Sequence, residues 1–220
     1  MVTAALCLAV TGSGRAAGQE SLLSYVVDLE QSSLFLVTHR AGLFAFLGHE
    51  HAIVPTEWTA EICFAAPIPR SAHGRVLIHS ASLVIDTDAA RALAGLGGGP
   101  GEDDLPDLQA KMLDREHLDA ATYPEIVVAI DSVAADGDGS VLAFGRMSLH
   151  GITRGVTVPM EVEALEDGTT RFGGVLRVRQ RDFDIEPEST AGLVKVSDEV
   201  DLHFLLVAVP TLEPCTSDQS

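Results

Sequence analysis

Aromatic residues make up only 5% of this chain of 220 residues, and Lys and Arg together number 14 against 32 Asp and Glu. Few rings to stack on bases and a formal charge of -18 exclude direct nucleic-acid binding, because such a surface repels a phosphate backbone. The same field opposes electrostatic docking on anionic lipid. No apolar run approaches the roughly 20 residues that a membrane-spanning helix needs. Three cysteines are too few for a disulfide framework. Cys63 sits in a strand-like run and reads as a buried thiol, and Cys215, in a polar tail, reads as a free one; a bridge between them has no support in the sequence. Cys7 follows Leu6 rather than a small residue, which makes it a poor acylation site. There is no Gly-x-Ser-x-Gly, and Cys63 has no sequence-encoded base. The glycine-rich stretch 96–101 lacks the Gly-Lys-Ser/Thr ending of a phosphate loop.

What the chain does have is apolar alternation: 46% of it is hydrophobic, enough for a substantial core. From Met147 to Val162 two strand-like runs flank a short connection at His150-Gly151. In the second run Val156, Val158, Met160 and Val162 alternate with Thr157, Pro159, Glu161 and Glu163. A period of two means a strand with one apolar face, and so short a connection makes its partner antiparallel. Further strands are predicted at Ser33 to His39, Glu57 to Phe64, Arg75 to Asp86, Glu125 to Val133, Val141 to Leu149, Arg171 to Gln180 and Val200 to Val209. Turn sequences such as Asp136-Gly137-Asp138-Gly139 and Glu166-Asp167-Gly168 join neighbours. One helix is inserted midway. Asp103-Asp104-Leu105-Pro106 supplies its start, and Leu105, Leu108 and Met112 form a stripe at helical spacing, with Leu113 beside them. Tyr123-Pro124 closes this region.

About eight antiparallel strands are the number at which a closed barrel can hold one small ligand, although a sandwich with a solid core fits the same pattern. The fold class is therefore all-β with one inserted α-helix. Residues 1–18 read as a signal peptide or a plain leader: Ala4 to Val10 is apolar and Gly14 to Gly18 supplies small residues, but a basic start is missing. Residues 19–210 form one domain, and 211–220 a polar tail.

The order of several motifs resembles the YceI-like family. Tyr25-Val26-Val27-Asp28, then Ser32-Ser33-Leu34, resembles its first strand. Arg115-Glu116-His117-Leu118-Asp119 with Thr122-Tyr123-Pro124-Glu125-Ile126 resembles its helix exit, and Leu149-His150-Gly151-Ile152-Thr153-Arg154 its hairpin. Arg181-Asp182-Phe183-Asp184-Ile185 and Val196-Ser197-Asp198-Glu199-Val200 resemble its last loop and the approach to its last strand. The likeness covers roughly Tyr25 to Val209. It implies a lipocalin-like antiparallel barrel, export to the periplasm, and an isoprenoid or fatty-acyl lipid held in the interior for storage or transport. It implies a binding protein, not an enzyme, with no catalytic residues and no cofactor. The run Leu47-Gly48-His49-Glu50-His51 and the glycine-rich insertion before the helix depart from the family pattern.

The ligand-lining residues are expected among Leu36, Phe44, Phe46, Trp58, Ile62, Phe64, Ile126, Met147, Met160 and Phe204. Leu34 and Val128 belong to the same apolar pool, most of which is core in any barrel. A competing reading puts chemistry at His49-Glu50-His51. In an extended chain His49 and His51 share a face and could both reach one metal ion, with Glu50 as base on a bound water. That site needs a third ligand, for which His79, His117 and His150 are the candidates; otherwise the histidines only cap a turn. His150 itself reads as part of the hairpin turn. An outward apolar face also leaves a homodimer open as an expectation.

Overall fold

The computed structural model describes residues 23–42, 48–64, 72–137, 139–190 and 194–214. Among these residues twelve strands form one antiparallel sheet. They are β1 (Leu23–Val27), β2 (Ser33–Ala41), β3 (His51–Pro55), β4 (Trp58–Phe64), β5 (His73–His79), β6 (Leu83–Ile85), β7 (Glu125–Ala135), β8 (Ser140–Leu149), β9 (Ile152–Ala164), β10 (Thr170–Arg179), β11 (Ser189–Thr190) and β12 (Val194–Pro214). Two short helices, α1 (Asp88–Leu93) and α2 (Leu105–Leu113), lie between β6 and β7.

Eight of the strands close a ring in the order β1-β4-β5-β7-β8-β9-β10-β12, shut by the pairing of β1 with β12. Strand β12 is long enough to serve two partners along one edge. Residues 195–205 pair with β2, and residues 208–214 with β1. Strands β3 and β6 continue outward from β2. β12 runs through Pro210 to Pro214, so residues 211–214 are strand where the sequence suggests tail. Their pairing with β1 overrides their composition.

The stretch read as one strand from Arg75 to Asp86 is two strands broken by a 3₁₀ turn at Ser80–Ser82. Both serines are buried, and their hydroxyls bond backbone carbonyls that the break exposes. Ser80 Oγ donates to the Tyr123 carbonyl at 2.8 Å, and Ser82 Oγ to the His79 carbonyl at 2.7 Å. The break sends β5 to pair with β4 and β7 while β6 pairs with β3.

Pairing between β9 and β10 covers only residues 160–164 against 170–174. Pro159 brings no N–H to the ladder, and beyond it the strands part. The 3₁₀ turn Gln180–Phe183 fills the gap with Phe183 fully buried.

The barrel interior differs at its two ends. At the β1 end the space is solid: Tyr25 stacks on Phe64 with ring centroids 3.9 Å apart, and Phe172 meets Phe64 edge-on at 5.5 Å. Val133, Ala143, Val158 and Leu206 complete this packing. The other end lies beneath α2 and is open.

Cys63 is disulfide-bonded, not the buried free thiol that its strand context suggests. The two other cysteines, Cys7 and Cys215, lie outside the described residues.

Candidate functional site: an apolar cavity beneath a helix

The open end holds a cavity of about 180 Å³. Its walls follow from strand alternation, since inward residues recur every second position. Leu36 comes from β2, Ile53 from β3, Ile78 from β5, Ile126 from β7, Met147 and Leu149 from β8, and Val200 and Leu202 from β12. The cover comes from α2 and the turn after it, through Leu108, Met112 and Leu118. Helical spacing puts Leu108 and Met112 on the same side of α2, as the sequence stripe implies.

Two polar devices hold this cover. The Gln109 side-chain amide accepts from Ile85 N–H at 3.0 Å and donates to the Leu83 carbonyl at 2.8 Å. It thus imitates a neighbouring strand and covers the edge of β6. At the rim, Glu188 receives Lys111 Nζ at 2.8 Å and lies 3.3 Å from His117 Nε2. His117 Nδ1 lies 2.9 Å from Asp114. The Lys111 ammonium holds the Glu188 carboxyl below the usual carboxylate range against the opposing pull of burial, and His117 adds to this.

The sequence-predicted lining residues divide between the two ends. Leu36, Ile126 and Met147 line the cavity. Phe64 is buried in the solid end between Tyr25 and Phe172. Trp58, Ile62, Met160 and Phe204 are half-buried against the core and do not face the cavity. Phe204 lies across Gly174, where a Cβ would come within 2.8 Å of its ring. Phe44 and Phe46 lie outside the described residues. Thr38, Val178, Gln180 and Ile185 also line the cavity and are absent from the predicted set. Thr38 was within reach of sequence reasoning, because it stands two residues beyond Leu36 on the same strand face.

The histidines do not converge. His49 is exposed and precedes β3. His51 faces the cavity, and its Nδ1 lies 2.5 Å from Asp86 Oδ2. His79 is exposed on β5, and His117 is engaged by Asp114 and Glu188. His150 Nδ1 lies 3.0 Å from the Phe183 carbonyl, which ties the hairpin to the 3₁₀ turn. Among the described residues no group of three or more His, Cys, Asp or Glu is placed to hold a metal. The metal reading therefore has no support, and the third ligand that it requires is not among these residues.

Asp86, fully buried beneath His51, is a structural hub. Its other oxygen accepts from Arg91 at 2.6 Å and from Ala52 N–H at 3.0 Å. Burial pushes this carboxyl up, but the hydrogen bonds from His51, Ala52 and Arg91 outweigh it and the net direction is downward. A second hub is Asp201 on the other side of β2, held by Arg177 at 2.6 and 2.7 Å and by His39 at 3.1 Å.

A closed antiparallel barrel of lipocalin type, solid at one end and hollow beneath a helical cover at the other, defines the class. The chain belongs to the YceI-like family, whose domain matches residues 25–208. Solved structures similar to it include BcnA from Burkholderia cenocepacia, 23% identical, with a TM-score of 0.63 over 83% of this chain and 99% of that one. A polyisoprenoid binding domain from Saccharophagus degradans, implicated in plant cell wall breakdown, is 16% identical with a TM-score of 0.57, covering 86% of this chain and 99% of its own. The YCEI protein of Campylobacter jejuni is 17% identical with a TM-score of 0.51, covering 73% of this chain and 85% of its own. These likenesses concern the fold. None of the curated proteins compared matches the chain.

Proposed function

We propose that this protein binds a long apolar ligand of isoprenoid or fatty-acyl type in the cavity beneath α2, and stores or carries it outside the cytoplasm. The observation that carries this reading is the cavity itself: its walls are almost entirely aliphatic, and it opens at a rim where the polar groups gather. Hydrocarbon transferred into it gains about 0.8 kcal/mol per CH₂. The volume of about 180 Å³ is slightly above that of an apolar cavity that takes one benzene, roughly 150 Å³. It therefore holds one end of such a chain. The rest of a longer chain has to displace the α2 cover or run past it.

Family membership and the likeness to a domain described as polyisoprenoid-binding support this ligand class. The chemistry is binding, not catalysis. Export is supported by the leader-like residues 1–18 and by the disulfide on Cys63, a bond that persists in oxidising compartments and is rare in the cytosol.

The test is an organic extract of protein purified from its own host, read by mass spectrometry. A long-chain lipid in stoichiometric amount is the expected outcome. An empty extract, combined with no binding of a fluorescent fatty-chain probe by the purified protein, overturns the reading.

A further inference from the structure

On one wall of the barrel the cavity ends between two rows of inward side chains. The upper row is Leu176 of β10, Leu202 of β12 and Leu36 of β2, paired across the strands, and Leu202 and Leu36 line the cavity. Two residues deeper on each strand the next row is Gly174, Phe204 and Leu34, with Met160 of β9 opposite Gly174. Strand alternation keeps both rows facing inward. None of these four deeper residues lines the cavity. One row further down, Phe172 pairs with Leu206 and meets the ring of Phe64 in the solid end.

Phe204 is the bulkiest side chain of the middle row, and its neighbour decides where the ring lies. A Cβ on Gly174 would come within 2.8 Å of the Phe204 Cζ atom and 3.2 Å of its Cε1, so the ring rests over the bare backbone of β10. Across the barrel, the residues two below the lining pair Ile78 and Ile126 are Val76 and Val128, whose branched side chains are much shorter. Of the inward residues Val200, Leu202, Phe204, Leu206 and Ala208 on β12, Phe204 alone is not fully buried. Part of its surface is left without protein contact, one row below the cavity wall.

We propose that Phe204 is the stop for the apolar chain and so determines how many of its carbons the barrel buries. The chain enters beneath α2, and its terminal methyl comes to rest on the Phe204 ring. Each carbon added up to that length gains burial; carbons beyond it stay at the rim or under α2 and gain little. Selection among apolar ligands is then a steric limit on chain length, with Phe204 as its determinant and Gly174 as a positioning residue for the ring. The inference rests on the cavity binding an apolar chain, as proposed above.

The test is a series of saturated fatty acids from octanoic to stearic acid, each displacing a fluorescent fatty-chain probe from delipidated protein. Affinity is expected to tighten about fourfold per added CH₂ up to a definite length and then to level off. Phe204→Ala is expected to keep the slope and move the break to longer chains, whereas Leu205→Ala, which alters the exposed outward neighbour, leaves the break in place. A measurement on the unaltered protein stands beside the variants. A bound fatty acid of the break length, ¹³C-labelled at its terminal methyl, is expected to show nuclear Overhauser contacts to the Phe204 ring. Contacts from that methyl to Phe172 or Tyr25 instead, a break unmoved in folded Phe204→Ala protein, or no break along the series overturns the stop and leaves apolar binding standing. Binding of no fatty acid at any length overturns the proposed function and the stop together.

Discussion

The ring of Tyr123 lies so close over Gly151 that a Cβ at that glycine would sit 2.5 Å from the Tyr123 Cε1 atom. The same ring meets His150 edge-on at 4.8 Å. His150 and Gly151 both have positive φ, 52° and 73°, the conformation of a two-residue hairpin turn whose twist matches its strands. The helix exit and the β8–β9 hairpin are thus locked together at the open end of the barrel.

Gly151→Ala is expected to cost about 2 kcal/mol or more, from left-handed backbone strain of roughly 1 to 2 kcal/mol and the collision with Tyr123. In a Tyr123→Ala background the same substitution is expected to cost only the strain. Urea denaturation of the four proteins of this cycle checks the coupling, and strictly additive costs contradict the contact.

Asp201 makes stability depend on acid. Its two bonds from Arg177 lead, burial opposes, His39 adds, and the carboxyl is held down to about 2, against roughly 3.9 in an unfolded chain. Because the folded value is the lower one, the stabilisation is fully present above about pH 4 and is lost as pH falls toward 2. With the exposed Arg177 discounted, it is on the order of 1 to 2 kcal/mol. Unfolding curves between pH 7 and pH 2 are expected to fall more steeply for the unaltered protein than for Asp201→Asn.

Glu188 joins Lys111 of α2 to His117 beyond it. Partly exposed ion pairs contribute at most about 1 kcal/mol, so Glu188→Gln is expected to leave the melting temperature almost unchanged. Amide exchange over residues 105–118 is expected to quicken, together with release of a bound fatty-chain probe. Unchanged exchange in that segment would show that the cover does not depend on this clamp.

The two ends of the barrel are expected to respond oppositely. Leu118→Trp puts bulk into the cavity from the cover and is expected to abolish probe binding while the circular dichroism spectrum is retained. Phe64→Ala removes a ring from the solid end and is expected to cost about 3 to 5 kcal/mol, with probe affinity little changed in the folded fraction. Loss of probe binding by folded Phe64→Ala protein would place the ligand at the wrong end.

Reduction of the Cys63 disulfide is expected to lower stability by about 2 to 5 kcal/mol. If residues 1–18 are removed on export, as proposed, Cys215 is the one cysteine left to pair with Cys63, and peptide mapping of the mature protein without reductant is expected to show that link. Detection of Cys63 as a free thiol in that protein contradicts both the bond and the oxidising compartment.

Much of the barrel was legible because alternation is local. Glu125 to Val133, Val141 to Leu149 and Arg171 to Gln180 each announce a two-faced strand, and each is one within a residue or two at its ends. The apolar stripe of α2 was legible for the same reason, at a period of 3.6. Strand β3 and the break at Ser80–Ser82 were not. They exist because β6 pairs with β3 and because Tyr123 and Pro124, some forty residues away, receive bonds from Ser80. The candidate site was legible only in its chemistry. An apolar inventory cannot say which half of a barrel is filled, and so Phe64 and Leu36 looked alike.

By itself the sequence determined an acidic, all-β antiparallel fold whose motif order resembles the YceI-like family, because side-chain period, turn residues and motif order are properties of neighbours along the chain; closure into a barrel came from the pairing of β1 with β12. Only the tertiary structure decided that aromatic rings fill one end while α2 roofs a cavity at the other. It alone turned His51 toward Asp86 and set it across from Thr38. Those outcomes depend on register between strands distant in sequence, and on which inward side chains are large enough to meet across the barrel.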